Sequence, residues 1–190
     1  FMYTSARYLL LAITDMIHKL GKWPLAVNHG QEDMPVEVTA DMALMLASVV
    51  ARTGGSLAFL DAVDNAWQLI RQWATYLTSN LPVIPSQIDT NDFVAAFAGR
   101  LNLLVKGTLG VASLSWLLRL HGDTSTADTL CSLATKYAEY YNAHAYVGSG
   151  PTRHSTLGLL APNNGTDTYA YKYNLQYLSL LPDNVTACTP

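Results

Sequence analysis

Helical periodicity in paired segments is the feature that most constrains the fold of this chain. Apolar residues recur at three- and four-residue spacing, which is typical of amphipathic or buried helices. The six predicted helices cover residues 4–20, 36–53, 56–79, 102–121, 125–144 and 169–181. Gly54-Gly55 separates the second helix from the third, and Gly122-Asp123 separates the fourth from the fifth. Such short turns predict helical hairpins stacked side by side, as in a solenoid or a closed toroid.

No strand pattern is strong enough to predict a sheet, so the expected class is all-α, with residues 1–190 in one domain. Charged residues make up only 13% of the chain and hydrophobic residues 50%. Because free-standing domains carry roughly 25% charged residues, much of this surface is expected to face other protein. The expected partners are therefore a missing part of the same protein or identical copies of the chain.

The charge pattern and the absence of known motifs exclude several other classes of partner from the expectation. The net charge is −3 and no Lys/Arg run occurs, so nucleic acid is not an expected partner. No membrane span is predicted, since no apolar stretch is judged to reach roughly 18–20 residues. The sequence lacks a Walker loop, a strand-linked GxGxxG, GxSxG, CxxC and HExxH, so neither a cofactor nor a metal is predicted.

The cysteines and two glycosylation sequons favour an extracellular location. Cys131 and Cys188 are compatible with one disulfide. Asn164 and Asn184 each begin an Asn-X-Thr sequon in turn-like surroundings near the end of the sequence. Together these features predict a secreted protein.

Two polar clusters in the connecting segments are candidates for chemistry. Glu37 enters an apolar helix near its N-terminus, where a carboxylate suits a general acid or base. The alternative is that Glu37 only stabilises the helix through its dipole. Asp92 follows two prolines in an extended segment, and Asn102 and Lys106 share a face of the next helix because they are four residues apart. The alternative is simple turn chemistry with a surface lysine.

A third cluster is AYKYNLQY, which contains Lys172, Tyr173 and Asn174. It could form one wall of a polar pocket or the apolar face of a last helix. Because stacked hairpins set their connecting segments side by side, we expect Glu37, Asp92 and Asn174 to meet around one cavity.

Three motifs, in order, resemble those of the glutaminase A family. MPVE at 34–37 resembles the start of the family's MPxEExxNM motif. TNDF at 90–93, with Asn102-Leu103 and Lys106, resembles its TDDF…NLxxK stretch. TYAYKYNL at 168–175 resembles TWSxKYNL. The resemblance implies a secreted enzyme whose helical part is an (α/α)6-type toroid, with this chain as the C-terminal part of a larger toroid.

The resemblance also implies an activity, the hydrolysis of the side-chain amide of glutamine to glutamate and ammonia. An amino-acid substrate needs a cation for its carboxylate, an acid for its amine and a base for water. The implied catalytic residues are Glu37 and Asp92. The implied substrate-binding residues are Asn102, Lys106, Lys172, Tyr173 and Asn174.

Departures from the family pattern keep two alternatives open. Val38 replaces the second Glu of the first motif, Asp41 replaces its Asn, and Tyr169 replaces the Trp of the third motif. One alternative is an inactive secreted structural or assembly protein. The other is a carbohydrate-active toroid hydrolase with Glu37 and Asp92 as paired carboxylates.

Overall fold

A computed structural model of the chain describes residues 34–88, 96–159 and 188. The helices in this part are α1 (Pro35–Arg52), α2 (Ala58–Asp61), α3 (Ala66–Asn80), α4 (Leu101–Leu120) and α5 (Thr124–His144). Strands β1 (Tyr146–Val147) and β2 (His154–Ser155) follow, with a 3-10 turn at Gly150–Thr152 between them. The all-α class is confirmed. The predicted helices at 4–20 and 169–181 lie outside the described residues.

The prediction of one continuous helix over residues 56–79 is wrong, because the structure divides this segment into α2 and α3. Asn65 adopts the left-handed conformation, with φ of 62°, and α3 begins at the next residue. Asn tolerates this conformation better than most residues. Helical spacing continues across the break, which explains why periodicity alone does not reveal it.

The small β-hairpin was also not predicted. Tyr146 pairs with Ser155 and Val147 with His154 in an antiparallel arrangement. With two residues in each strand, no alternation of apolar and polar positions can be recognised in the sequence.

Glycines end the long helices as the sequence predicts. Gly54 and Gly55 have φ of 69° and 83°, and their N–H groups donate to carbonyls in the last turn of α1. Gly122, with φ of 94°, and Asp123 make the same pair of bonds at the end of α4. Both ends are Schellman motifs. Asp123 then caps α5, since its Oδ1 accepts a hydrogen bond of 3.3 Å from Thr126 N.

Helices α1 and α4 run parallel and in close contact. Glu37 contacts Lys106 at their N-terminal ends, and Ala40 lies against Gly110 one turn further along both helices. α3 runs in the opposite direction, because Leu81 lies against Gly107 and the earlier Leu77 against Gly110. α5 returns along α4 after the tight turn at Gly122.

The described helices thus form two hairpins of the same orientation, α1 with α3 and α4 with α5. α1 is the first helix of one hairpin and α4 is the first helix of the other. The N-terminal ends of these two parallel helices therefore lie at the same end of the two hairpins. This arrangement confirms the predicted stacking of helical hairpins.

α4 is the central helix of the core. Seventeen of its 20 residues are buried, and its long-range contacts come chiefly from α5 and α1. Among the described helices it alone is long and apolar enough to cross a membrane, although no such stretch was predicted from the sequence. Nearly all of it is buried between the neighbouring helices, as is usual for the core helix of a folded domain.

The close approach of α1 and α4 makes a prediction about two glycines of α4. A Cβ at Gly110 would lie 3.1 Å from Ala40 Cα, whereas one at Gly107 would meet only the flexible end of Leu81. Replacing either glycine by Ala gains about 1 kcal/mol of helix propensity. We expect Gly110→Ala to be at least about 1 kcal/mol less stable than Gly107→Ala in urea unfolding, since only the Cβ at Gly110 would press against the backbone of a neighbouring helix. Equal stabilities would contradict the close helix contact.

Candidate functional site

Lys106 lies between two carboxylates at the N-terminal ends of α1 and α4. Its Nζ is 2.6 Å from Glu37 Oε1, and the two oxygens of Asp41 lie 3.2 and 3.4 Å away. The Lys106 and Glu37 side chains are 6% and 3% exposed, and the Asp41 side chain is 31% exposed. The group is therefore buried at Glu37 and open towards solvent at Asp41.

Local helix geometry explains why these three side chains meet. Pro35 starts α1, which places Glu37 in the first turn, where an acidic side chain is favoured by the helix dipole. Asp41 lies four residues after Glu37, on the same face of α1. Lys106 likewise lies four residues after Asn102, on the same face of α4. The parallel packing of α1 and α4 then brings the two faces together.

The charges fix the protonation of the lysine. Burial is the largest single influence on Lys106 and lowers the pKa of its ammonium group. The attraction of Glu37 and then of Asp41, with the hydrogen bonds to both, more than offsets it, so that the pKa lies above its ordinary value of 10.5. Lys106 is thus a fixed cation near neutral pH.

A second set of buried polar contacts holds the start of α1. Val36 N donates a hydrogen bond of 3.1 Å to Oε1 of Gln87. Gln87 is buried, with 2% of its surface exposed. Gln87 forms an isolated antiparallel bridge with Phe97, and the Arg100 guanidinium lies 4.2 Å from the centre of the Phe97 ring. Arg100 is fully buried and precedes α4 directly.

The structure describes three of the seven predicted catalytic and substrate-binding residues. Glu37 and Lys106 are in contact, and Asn102 is buried one turn before Lys106 on α4. Predicted residues outside the described part are Asp92, Lys172, Tyr173 and Asn174, and the sequon residues Asn164 and Asn184. They remain predictions.

Asp41 and Gln87 were not predicted as members of the site. Asp41 could have been found, because it lies four residues after Glu37 on the same helix. Nothing in the sequence marks Gln87, since its contact with Val36 spans 51 residues. In the described residues no group of three or more His, Cys, Asp or Glu side chains is placed to hold a metal ion.

The two cysteines are joined in a disulfide. Cys131 on α5 and Cys188 are 57 residues apart in sequence, and Thr135 Oγ1 donates a 2.7 Å hydrogen bond to Cys188 O. The bond anchors the chain at residue 188 to α5.

Comparison with models of known protein families shows to which family this chain belongs. The model of the glutaminase A six helical-hairpin domain matches residues 12–186. The chain belongs to this family. The predicted family and the predicted arrangement of helical hairpins within a six-hairpin domain are thereby confirmed.

One curated relative of this glutaminase A-family chain is named Glutaminase A and comes from Aspergillus oryzae (strain ATCC 42149 / RIB 40). The two are 25% identical over 181 residues, which is 90% of this chain and 25% of the relative. The chain therefore spans about a quarter of the length of that relative. No solved structure shows a significant match.

Proposed function

We propose that this glutaminase A-family chain contributes to the active site of an enzyme that hydrolyses the side-chain amide of glutamine. The products are glutamate and ammonia. The observation that carries the proposal is the buried contact of Glu37 with the Lys106 ammonium, which puts a proton acceptor and a fixed cation together. The name of the Aspergillus relative supports the choice of reaction.

Amide hydrolysis makes three demands that these residue types meet. Water must lose a proton as its oxygen attacks the amide carbon, the carbonyl oxygen becomes negatively charged, and the leaving nitrogen must gain a proton. In the proposed mechanism Glu37 takes the proton from water and passes it to the departing ammonia. Lys106 holds the Glu37 carboxylate and its ammonium stabilises the developing oxyanion.

Substrate recognition is proposed for the remaining predicted residues. An amino acid carries a carboxylate and an ammonium group, so its binding requires a cation and an anion. Asn102, Lys172, Tyr173 and Asn174 are the proposed binding residues, and Asp92 is the proposed second catalytic carboxylate.

We also propose that the protein is secreted and carries glycans on Asn164 and Asn184. The disulfide between Cys131 and Cys188 supports this location, because disulfides persist mainly in oxidising compartments. Mass spectrometry before and after enzymatic deglycosylation of the native protein tests both sequons.

Glu37→Gln tests the proposed activity. Gln keeps the size of the side chain and can still accept a hydrogen bond from Lys106, but it cannot accept a proton from water. We expect ammonia release from glutamine by the full-length protein to fall at least about 100-fold, in line with the loss of a general base. The readout is kcat from a coupled ammonia assay.

The matched control is Asp128→Asn, which removes a carboxylate from the exposed ion pair between Arg119 and Asp128. Its kcat should equal that of the wild type. A Glu37→Gln protein with undiminished kcat would show that Glu37 is not the base.

A second candidate function is a structural role without catalysis. It is favoured by the near-complete burial of Glu37, because a buried Glu–Lys pair also occurs as a purely structural contact. Val38 and Asp41, which depart from the family motif, favour it as well. Absence of ammonia release from glutamine by the wild-type protein would select this second function.

A further inference from the structure

We propose that Gln87 is a positioning residue, which holds the ends of α1 and α4 so that Glu37 and Lys106 keep their contact. The inference rests on the proposed function, since the contact that Gln87 supports is the proposed catalytic pair. Gln87 acts on the backbone of α1, because its side-chain oxygen accepts a hydrogen bond from Val36 N. Its role is to fix the helix ends that carry Glu37 and Lys106.

The first half of the argument is the hydrogen bond at the start of α1. The first N–H groups of a helix have no partner within it and need an acceptor from elsewhere. The residue before α1, Met34, has no side-chain acceptor to offer. Gln87 Oε1 supplies one to Val36 N at 3.1 Å, in a fully desolvated position and next to Glu37. The acceptor therefore fixes the first turn of α1 from a distant part of the chain.

The second half is the link from Gln87 to α4. Its backbone is bridged to Phe97, and the Phe97 ring lies beneath the guanidinium of Arg100. Arg100 is the N-cap residue of α4, six residues before Lys106. A continuous path of contacts thus runs from Val36 through Gln87 and Phe97 to the start of α4. It closes a ring with the direct contact of Glu37 and Lys106.

This ring explains why a residue outside the charged group would affect catalysis. The ion pair spans 2.6 Å and joins two different helices, so a small shift of either helix end lengthens it. A misplacement of about 1 Å can lower a catalytic rate by about 100-fold. A loosened first turn of α1 would displace Glu37 while leaving the hydrophobic core of the two hairpins in place.

The two polar atoms of the Gln87 side chain differ in their partners. Oε1 is bonded to Val36 N, whereas Nε2 is buried without a hydrogen-bond partner in the described part of the chain. Within that part only the acceptor oxygen therefore holds α1. A Glu at this position, whose carboxyl group burial favours in the protonated, uncharged form, keeps an acceptor oxygen of the same reach, and a Met keeps the volume without it. The two substitutions separate the acceptor from the packing.

The experiment compares Gln87→Met and Gln87→Glu in the full-length protein, with Gln72→Met as control. Gln72 is exposed on α3, so the control makes the same chemical change away from the site. For Gln87→Met we expect kcat for glutamine to fall at least about tenfold with KM changed less than about threefold, since geometry and not binding is altered. Gln87→Glu should recover kcat to within about threefold of the wild type.

Amide hydrogen exchange, followed by mass spectrometry, gives a readout that does not depend on activity. Peptides covering residues 35–44 should exchange faster in Gln87→Met than in the wild type, and peptides of α5 should not. If the wild-type protein releases no ammonia, the proposed function fails, while the exchange rates still decide whether Gln87 holds the first turn of α1.

Two results would overturn the inference. One is a Gln87→Met protein with wild-type kcat and wild-type exchange in α1. The other is a Gln87→Glu protein as impaired as Gln87→Met, because the acceptor oxygen would then have no special role. If Gln87→Met does not fold, Phe97→Leu removes the next contact in the path. An unchanged kcat in that variant would also contradict the proposal.

Discussion

Replacing Lys106 by Met is expected to lower the free energy of unfolding by about 3–5 kcal/mol, because it removes the ammonium group that lies 2.6 Å from the buried Glu37 carboxylate. Met keeps most of the aliphatic packing of Lys but has no charge and no N–H donor. Glu37, at 3% side-chain exposure, cannot be rehydrated without moving out of the core, whereas the more exposed Asp41 can. The midpoint and slope of urea unfolding measure the change.

The exposed pair of Arg119 and Asp128 gives the matched control. Arg119→Met removes a cation whose side chain is 45% exposed and should change stability by less than about 1 kcal/mol. A double variant, Glu37→Gln with Lys106→Met, should lose about 0.5–3 kcal/mol less than the sum of the two single changes. Additive losses would mean that the two buried charges do not interact in the way their distance indicates.

The pH dependence of stability follows from the same contact. A Lys whose pKa is raised on folding binds its proton more tightly in the folded state, so its contribution is complete below pH 10.5 and declines above it. The wild type should therefore lose stability above this pH more steeply than Lys106→Met. Burial raises the pKa of Tyr141 to about 12 and raises that of Tyr137, so both proteins lose some stability there. The difference between the two curves isolates Lys106.

Replacing both cysteines by Ala is expected to cost about 4 kcal/mol, the chain-entropy value for a disulfide that closes a loop of about 60 residues. The bond joins Cys131 to Cys188 across a sequence separation of 57. Without this bond the unfolded chain has a much larger conformational entropy, which favours unfolding. The bonded sulfurs lie against α5, and Cys188 is 7% exposed. Urea unfolding of the wild-type and Ala proteins measures the loss.

A reductant separates the bond from the side chains. Reduced wild-type protein should match the double Ala variant, and reductant should leave that variant unchanged. Peptide mapping under non-reducing conditions checks the pairing itself. A wild-type unfolding midpoint that does not respond to complete reduction would contradict the expected stabilisation.

Local chemistry made most of the described fold predictable. Gly54 and Gly122 end helices because they adopt positive φ without strain, and Asp123 begins the next helix because its carboxylate can cap it. These signals depend on a few adjacent residues. The break before α3 depends on the backbone conformation of Asn65 within an unbroken apolar pattern, so the sequence does not reveal it.

Only those site residues that stand out within a single helix could be predicted from the sequence. Glu37 and Lys106 stand out because charged side chains interrupt apolar helices, and helix packing then pairs them. That Asp41 joins the pair could be expected from its spacing to Glu37, but only once Glu37 was known to face α4. The hydrogen bond of Gln87 to Val36 depends on the path of the intervening chain, which residue spacing does not encode.

The parallel course of α1 and α4 leaves both glycine turns at the end of the molecule remote from Lys106. About 17 residues of helix, or about 25 Å, separate Glu37 from Gly54. Within the described part of the chain, a Cβ at Gly54 or Gly122 would meet no atom within 4 Å. Both cysteines of these 190 residues are joined in the disulfide, so a single cysteine introduced beside either turn would be the sole thiol within this part of the protein. It would give an attachment point for a fluorophore or a solid support at the helix ends opposite to the contact of Glu37 with Lys106.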